Sequence, residues 1–312
     1  MKWKKVGKIF DPADYGLIFA QSPQTLVFDD FVRVYFSTRK KDKDKYLSHI
    51  AFVDFDKSFK KVINISQNTV ISLGRLGSFD EHGVFPMNVV RYDNDIYAYT
   101  SGWNRKSSVS VDTSIGLAVS NDNGLTFQKL GDGPVLTSSI HEPFLVGDPF
   151  VKIINNVFHM WYIYGVSWKF FGSNTQPDRV YKIGHAVSKD GVDWVKDNRQ
   201  IISDSFHDES QALPTVIYFK NKYHMFFCYR QSSDFRKNSS RAYRIGYACS
   251  NDLVNWVRDD EQAGINVTEN SWDSDMMCYP HVFSFNDDVY LLYNGNEFGR
   301  HGFGLARLEG EI

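Results

Sequence analysis

The chain has 312 residues, enough for two ordinary domains or one large all-β domain, and its formal net charge of −2 predicts no attraction to nucleic acid or to anionic membranes. Hydrophobic residues make up 42% of the chain and aromatic residues 16%, enough for a core and suited to strands and sugar-facing surfaces alike. No apolar run reaches the roughly 18 residues of a membrane span. The amino-terminal "MKWKKVGKIFDPADYG" has lysines but no apolar stretch behind them, so it does not read as a secretory signal. Cys228, Cys249 and Cys278 follow neither a metal-type nor a disulfide-type spacing, which points to a reduced, cytoplasmic compartment.

In chain order, the first predicted strand is "WKKVGKIF" (3–10). Then a unit begins with a proline-headed run, "QSPQTLVF" (21–28), followed by a polar turn and the aromatic strand "VRVYFST" (32–38). The charged stretch "KKDKDK" (40–45) reads as a solvated hairpin loop. The unit recurs as "VFPMNVV" (84–90) and "IYAYTSGW" (96–103), now with a third strand "IGLAVS" (115–120) and the tight turn "NDNGLTF" (121–127) that introduces a fourth. It recurs again as "GDPFV" (147–151) with "FHMWYIYG" (158–165), "IGHAVS" (183–188) and "KDGVDW" (189–194). The fourth copy is "ALPTVIYF" (212–219), "YHMFFCYR" (223–230), "IGYACS" (245–250) and "NDLVNW" (251–256); the fifth is "CYPHVFSF" (278–285), "VYLLYNG" (289–295) and "FGLARL" (303–308). Asp/Asn-rich links of two or three residues between β-branched and aromatic runs are hairpin signals. Glycine in the middle of each third strand implies close approach by another backbone or a large ring.

Pro23, Pro86, Pro149, Pro214 and Pro280 are 63, 63, 65 and 66 residues apart, a period that demands a repeat architecture. Four antiparallel strands per repeat, five repeats and almost no helix predict a single all-β domain over residues 1–312, a five-bladed β-propeller. The fifth repeat ends after its third strand, so residues 3–10, patterned like "WVKDNRQII" (194–202), are expected to supply its outer strand and close the ring.

In such a ring, residues just before the first strand and just after the second meet on one face. Before the first strands stand Glu81 and His82, His141 and Glu142, Asp148, Glu209 and Gln211, and Asp275. Glu81, Glu209 and Asp275 each precede their proline by five residues, and Asp148 directly precedes Pro149. After the second strands come Arg39, Trp103, Arg105, Trp168, Arg230 and Asn294, with Arg300 further on. Carboxylates converging on one pocket raise each other's pKa and suit paired acid and base work, and tryptophan faces are platforms for sugar rings. The histidines carry no metal-site spacing, so no cofactor is expected; His281, which follows Pro280, is the candidate neighbour of a channel ion. Trp194 and Trp256 are assigned to blade packing.

The five repeats, with an Asp-Pro opening the inner strand of the third, resemble the five-bladed propeller glycoside hydrolases of families 43, 32 and 62. The resemblance implies that Asp148 is the carboxylate that orients or tunes the acid, and that Glu209 is the general acid. It also implies an aspartate before the first-repeat proline, where this chain has Ser22; Glu81 is then the substitute base. The expected function is a carbohydrate-active enzyme, a glycoside hydrolase working by carboxylate acid/base catalysis on a small-molecule or oligosaccharide substrate. Two alternatives remain. Arg39, Arg105 and Arg230 suit a phosphorylase or transferase acting on a phosphorylated or anionic sugar, and the missing aspartate suits a non-catalytic saccharide-binding propeller.

Overall fold

The computed structural model describes residues 1–172 and 175–310. Its strands are β1 (Trp3–Phe10), β2 (Gln21–Val27), β3 (Phe31–Asp42), β4 (Lys45–Asp56), β5 (Val62–Ile65), β6 (Gly83–Tyr92), β7 (Asp95–Arg105), β8 (Val111–Ser120), β9 (Gln128–Lys129) and β10 (Val146–Ile154). They continue with β11 (Val157–Lys169), β12 (Asp178–Ser188), β13 (Val195–Lys196), β14 (Glu209–Phe219), β15 (Lys222–Gln231), β16 (Arg244–Ser250), β17 (Val257–Arg258), β18 (Cys278–Phe285), β19 (Asp288–Asn294) and β20 (Phe303–Leu308). Three four-stranded antiparallel sheets run β10–β13, β14–β17 and β18-β19-β20-β1. Two more sets, β2–β5 and β6–β9, are joined through one parallel bridge between Ser48 and Gly83. These are sheets of the propeller-blade kind. Their first strands pack in sequence, β2 on β6, β6 on β10, β10 on β14, β14 on β18, and β18 on β2. Among the described residues no helix is long and apolar enough to cross a membrane.

The outer strands are shorter than the sequence suggests, two residues each in β9, β13 and β17. What fixes them is a side-chain pattern repeated four times. Lys129, Lys196, Arg258 and Lys5 each lie opposite a small residue of the third strand, Ala118, Ala186, Ala248 and Ala306. Each reaches inward to a buried carboxylate of its own sheet: Lys129 to Asp80, Lys196 to Glu142 (2.5 Å), Arg258 to Glu209 (2.7 Å) and Lys5 to Asp273 (2.5 Å). The neighbouring third-strand glycines make room for a ring. A Cβ on Gly246 would stand 2.6 Å from the Phe227 ring, and one on Gly304 2.5 Å from Trp272. Trp194 and Trp256 donate their indole N–H to the carbonyls of Gly191 and Leu253 in the preceding turns.

Strand β1 pairs antiparallel with β20 from end to end, with register shifts between Lys5 and Gly7 and between Lys8 and Phe10. Trp3, at its start, is buried, donates its indole N–H to the Ala263 carbonyl at 3.0 Å and sets its ring edge-on to Phe226 of β15 at 5.5 Å. The first residues of the chain therefore bind two sheets that the rest of the sequence builds last. Trp3→Ala is expected to lower the urea unfolding free energy by about 3–5 kcal/mol, the usual loss for a buried aromatic. A loss below about 1 kcal/mol in the same titration would show that β1 is not a latch.

Candidate active site

At the head of each first strand the pairing register slips by one residue around an X-Pro pair: Ser22-Pro23, Phe85-Pro86, Asp148-Pro149, Leu213-Pro214 and Tyr279-Pro280. Such a bulge re-aims the side chain of the inserted residue, and proline can sit there because its missing N–H has no ladder partner to lose. The Phe85-Pro86 bond is cis. The other four pre-proline residues have positive φ, at 55°, 51°, 45° and 57° for Ser22, Asp148, Leu213 and Tyr279. Non-glycine residues avoid this region, each at a cost of roughly 1–3 kcal/mol, and residues held there collect at functional sites. Because the five strands are neighbours, Phe85, Asp148, Leu213 and Tyr279 come together at their head. Tyr279 packs edge-on to Phe85 at 5.6 Å, and the backbone N–H of Leu213 faces the Asp148 carboxylate.

Asp148 is 8% exposed. Burial pushes its carboxyl up to about 7, against the opposing pull of the Arg179 guanidinium and the Leu213 N–H. Tyr279, 9% exposed, has its hydroxyl held well above the ordinary range by burial, with Cys278, Tyr181, Cys228 and Asp148 adding to the effect. Around this pair stands a wall of arginines and rings. Arg39 donates from Nε and one Nη to Gln21 Oε1 at 3.0 and 2.9 Å and lies 5.8 Å from the Phe19 and Phe85 ring centres. Arg230 donates to the Tyr181 hydroxyl at 2.9 Å and stacks on Phe235 at 3.6 Å. Tyr181 and Tyr243 share a hydroxyl–hydroxyl bond of 2.6 Å, and Tyr243 lies 5.8 Å from Tyr279. Arg236 covers Phe235 from 4.2 Å, and Arg179 stands 5.8 Å from the Trp168 ring.

Of the expected site residues, the structure brings Asp148, Arg39, Arg230 and Trp168 into this group. Arg300 stands at its exposed edge, paired with Glu297 at 2.7 Å and sharing the Phe19 face with Arg39. Other expectations need correction. Glu209 is fully buried, its carboxylate oxygens taken by Arg258 (2.7 Å), Gln211 (2.9 Å) and the Ser205 N–H (2.9 Å), which leaves no route for donating a proton to a ligand. Glu142 is likewise sealed between Lys196 and the Tyr162 hydroxyl. Gln211 spends its amide N–H groups on Ile202, Ser203, Asp204 and Glu209. Asn294 holds the first bulge together: it accepts from Ser22 N at 2.8 Å and donates to the carbonyls of Ala20 and Gly302.

Glu81, His82, Trp103 and Arg105 form a separate cluster on the second sheet. Glu81 accepts from Gly77 N and approaches His82 at 3.2 Å, while His82 stacks on Trp103 at 5.8 Å. Arg105 donates to the Tyr46 carbonyl and stands over Trp103; no hydrogen bond or ion pair joins these four to Asp148. Asp275 is exposed, with its main chain tied to Asn296 and Arg244. His141 is exposed as well. His281 is buried, accepts from Thr25 N at 3.1 Å and has no partner for Nδ1; among the described residues no three His, Cys, Asp or Glu side chains gather around it.

The sequence reading missed Tyr279, Phe85, Tyr181, Tyr243, Arg179 and Arg236. Tyr279 and Phe85 were within reach of it, because they fill the same pre-proline position that singled out Asp148. The matched pairs also had a signal. An aromatic followed two places later by a base recurs as Phe127-Gln-Lys129, Trp194-Val-Lys196, Trp256-Val-Arg258 and Trp3-Lys-Lys5, and a recurring buried base requires a recurring acid.

No protein-family model matches the chain. The uncharacterized protein Rv1502 of Mycobacterium tuberculosis (strain ATCC 25618 / H37Rv) is 34% identical over 315 residues, covering 99% of this chain and 100% of its own length. The uncharacterized protein MT1551 of strain CDC 1551 / Oshkosh matches to the same extent. The chain belongs to the family of these mycobacterial proteins. Among solved structures, a glycoside hydrolase superposes with a TM-score of 0.75 at 17% identity, over 99% of this chain and 92% of its own. A thermostable family-43 glycoside hydrolase superposes with a TM-score of 0.66 at 14% identity, over 94% and 90%. The family shares the fold of these hydrolases.

Two substitutions separate the site from the scaffold. Asp148 binds a proton more tightly folded than unfolded, so its contribution to stability falls as pH rises from 3.8 to about 7. Asp148→Asn removes that pH-dependent loss. Its unfolding free energy in urea, compared with wild type, is expected to gain about 3 kcal/mol between pH 5 and pH 7 and to level off above that; a constant offset across that range would contradict the buried, proton-binding carboxyl. Glu209→Gln leaves Arg258 short of a buried partner and is expected to destabilise by about 3 kcal/mol. In chemical denaturation a loss under about 0.5 kcal/mol would restore Glu209 as a group free for chemistry.

Proposed function

We propose that residues 1–312 form one closed five-bladed β-propeller, with β1 as the outer strand of the fifth blade, and that this family acts on carbohydrates as a glycoside hydrolase-type enzyme. The observation that carries the reading is the Asp148 carboxyl, buried where the five first strands begin and balanced near pH 7. A carboxyl with that pKa is about half protonated at neutral pH, so it can deliver a proton to a leaving oxygen, which is the demand that glycosidic bond cleavage makes on a general acid. The aromatic faces of Phe85, Trp168, Phe298 and Tyr279 around it suit a sugar ring. The fold shared with glycoside hydrolases agrees with this reading. The three cysteines are free thiols, in keeping with a reducing, cytoplasmic setting.

One observation favours a second reading. Among the described residues no hydrogen bond or ion pair brings a second carboxylate to Asp148, whereas hydrolysis through paired carboxylates needs one to activate water or to attack the anomeric carbon. A nucleophile that is already ionised, such as phosphate, needs no such base, so phosphorolysis or transfer is the alternative outcome at the same acid.

The test is turnover of a panel of aryl glycosides by wild type and Asp148→Asn, each with and without phosphate. Wild-type turnover that falls at least a hundredfold in the variant and declines above about pH 7 is expected for this acid. Turnover that appears only with phosphate selects the second reading. Saccharide binding with no turnover in either condition would make the protein a recognition propeller and end the catalytic assignment.

A further inference from the structure

Charge matching elsewhere in the chain supplies an internal control for the arginine wall. Among the described residues three lysines and arginines are buried backbone and side chain together, Arg33, Lys182 and Arg230, and the largely enclosed Arg258 is matched by Glu209 and Asp260. Arg33 is met by Asp54 through two bonds of 2.7 and 2.8 Å, and Lys182 by Asp204 at 2.7 Å. Arg230, 3% exposed, meets no carboxylate. Its Nη groups go to the Gln231 carbonyl and the Tyr181 hydroxyl, and its Nε is buried with no partner. Arg39, in the same wall, also lacks an acidic partner and is bonded only to the neutral Gln21 amide, through Nε and one Nη. Arg236 has only a distant carboxylate, Asp178 at 3.9 Å, and faces the like charges of Arg230 and Arg179. Its side chain is 61% exposed, so its unspent donors can be reached from solvent.

These three guanidiniums keep unspent donors around the Tyr243–Tyr279 pair, Tyr279 in turn adjoins Asp148, and among the described residues the one ion pair any of the three makes is the 3.9 Å approach of Arg236 to Asp178. Desolvated guanidiniums of this kind are satisfied by an oxyanion, and their forked donors match a carboxylate or a phosphoryl group. We propose that Arg39, Arg230 and Arg236 form an oxyanion subsite of the Asp148 centre, so that the ligand handled there includes a carboxylate or a phosphate group. The inference rests on reading that centre as a carbohydrate site. The oxyanion is carried either by the sugar, as in a uronic acid or a sugar phosphate, or by free phosphate bound beside it.

Isothermal titration of the full chain with D-glucuronate, D-glucose 6-phosphate, inorganic phosphate and neutral D-glucose separates these sources. At least one anion is expected to bind tenfold or more tightly than D-glucose, and to weaken as NaCl is raised from 20 to 300 mM. Preference for a sugar anion over inorganic phosphate places the charge on the sugar, and the reverse order places it on free phosphate; either result supports the subsite. Arg39→Gln and Arg236→Gln, both at partly exposed positions and so tolerable to the fold, are each expected to cut the anion affinity about tenfold and leave D-glucose binding unchanged. Anions that bind no better than D-glucose, or variants that weaken both equally, would overturn the subsite. The Asp148 reading fails separately: anion binding that survives while no glycoside is turned over keeps the subsite and removes the enzyme.

Discussion

A charge enclosed in a poorly polar interior persists only beside its opposite, because the desolvation it suffers is large and only a close partner repays it. Four of the five sheets here are organised by that constraint. A carboxylate at the start of the first strand or in the segment before it, Asp80, Glu142, Glu209 or Asp273, is drawn under its sheet to a base on the outermost strand. The link spans the full width of the sheet and fixes a two-residue strand that backbone pairing alone would hold weakly. It also explains why the third strands are so uniform: alanine leaves the base its path, and glycine leaves space for the ring that shields the pair. The constraint is relaxed at Asp148 and Arg230, which are buried without an ion-pair partner among the described residues, and that relaxation is what the proposed site rests on.

The X-Pro bulge supplies the geometry of that place. Proline ends the pairing without orphaning a donor, and the N–H groups that follow are collected by the neighbouring sheet. Thr25 N goes to His281, Val151 N to Asn88 and Val282 N to Thr215. Inner strand edges that would otherwise invite pairing are thereby covered. Repeating the bulge places five side chains at nearly equivalent positions. The chain fills these with serine, phenylalanine, aspartate, leucine and tyrosine, so a symmetric frame carries an asymmetric site. The strain of four positive φ values is concentrated at the same point, and Asn294, which ties down Ser22 from both sides, shows how the surrounding structure holds one of them.

Most of the frame was legible because it rests on periodic features. The prolines, the mid-strand glycines and the aromatic strands repeat with the sheets, and "WKKVGKIF" resembles the other outer strands because it occupies the same position against Ala306. The acidic residues misled for a related reason. Glu209 and Glu142 stand before first strands, as active-site residues would, but placement along the chain does not say whether a side chain turns toward the centre or under its own sheet. Only the partners decide, and Arg258 and Lys196 are 49 and 54 residues away. Arg179 was hidden because it comes from the third strand, outside the positions that the repeat logic selects, and Arg236 because it stands five residues beyond the end of β15, further along the loop than the residues that directly follow a second strand. Asp148 was visible because it breaks a pattern that the other four copies keep.

The near-neutral Asp148 and the unmatched Arg39 and Arg236 share Tyr279 as a neighbour. An ionised Asp148 would itself act as a counter-charge for the nearby guanidiniums and repel an incoming oxyanion. A protonated Asp148 does neither, so the arginines remain available while the acid keeps its proton. An oxyanion held by Arg39, Arg230 and Arg236 would in turn offset the pull of the arginine cluster and raise the affinity of Asp148 for its proton. Linkage makes the effect reciprocal: whatever the anion adds to proton binding, the proton adds to anion binding. A second carboxylate beside Asp148 would break this relation by neutralising the same arginines. On this argument the absence of an aspartate at Ser22 belongs with the unmatched Arg230. In the proposed site the two features act together, keeping positive charge for the ligand and a single proton for the chemistry.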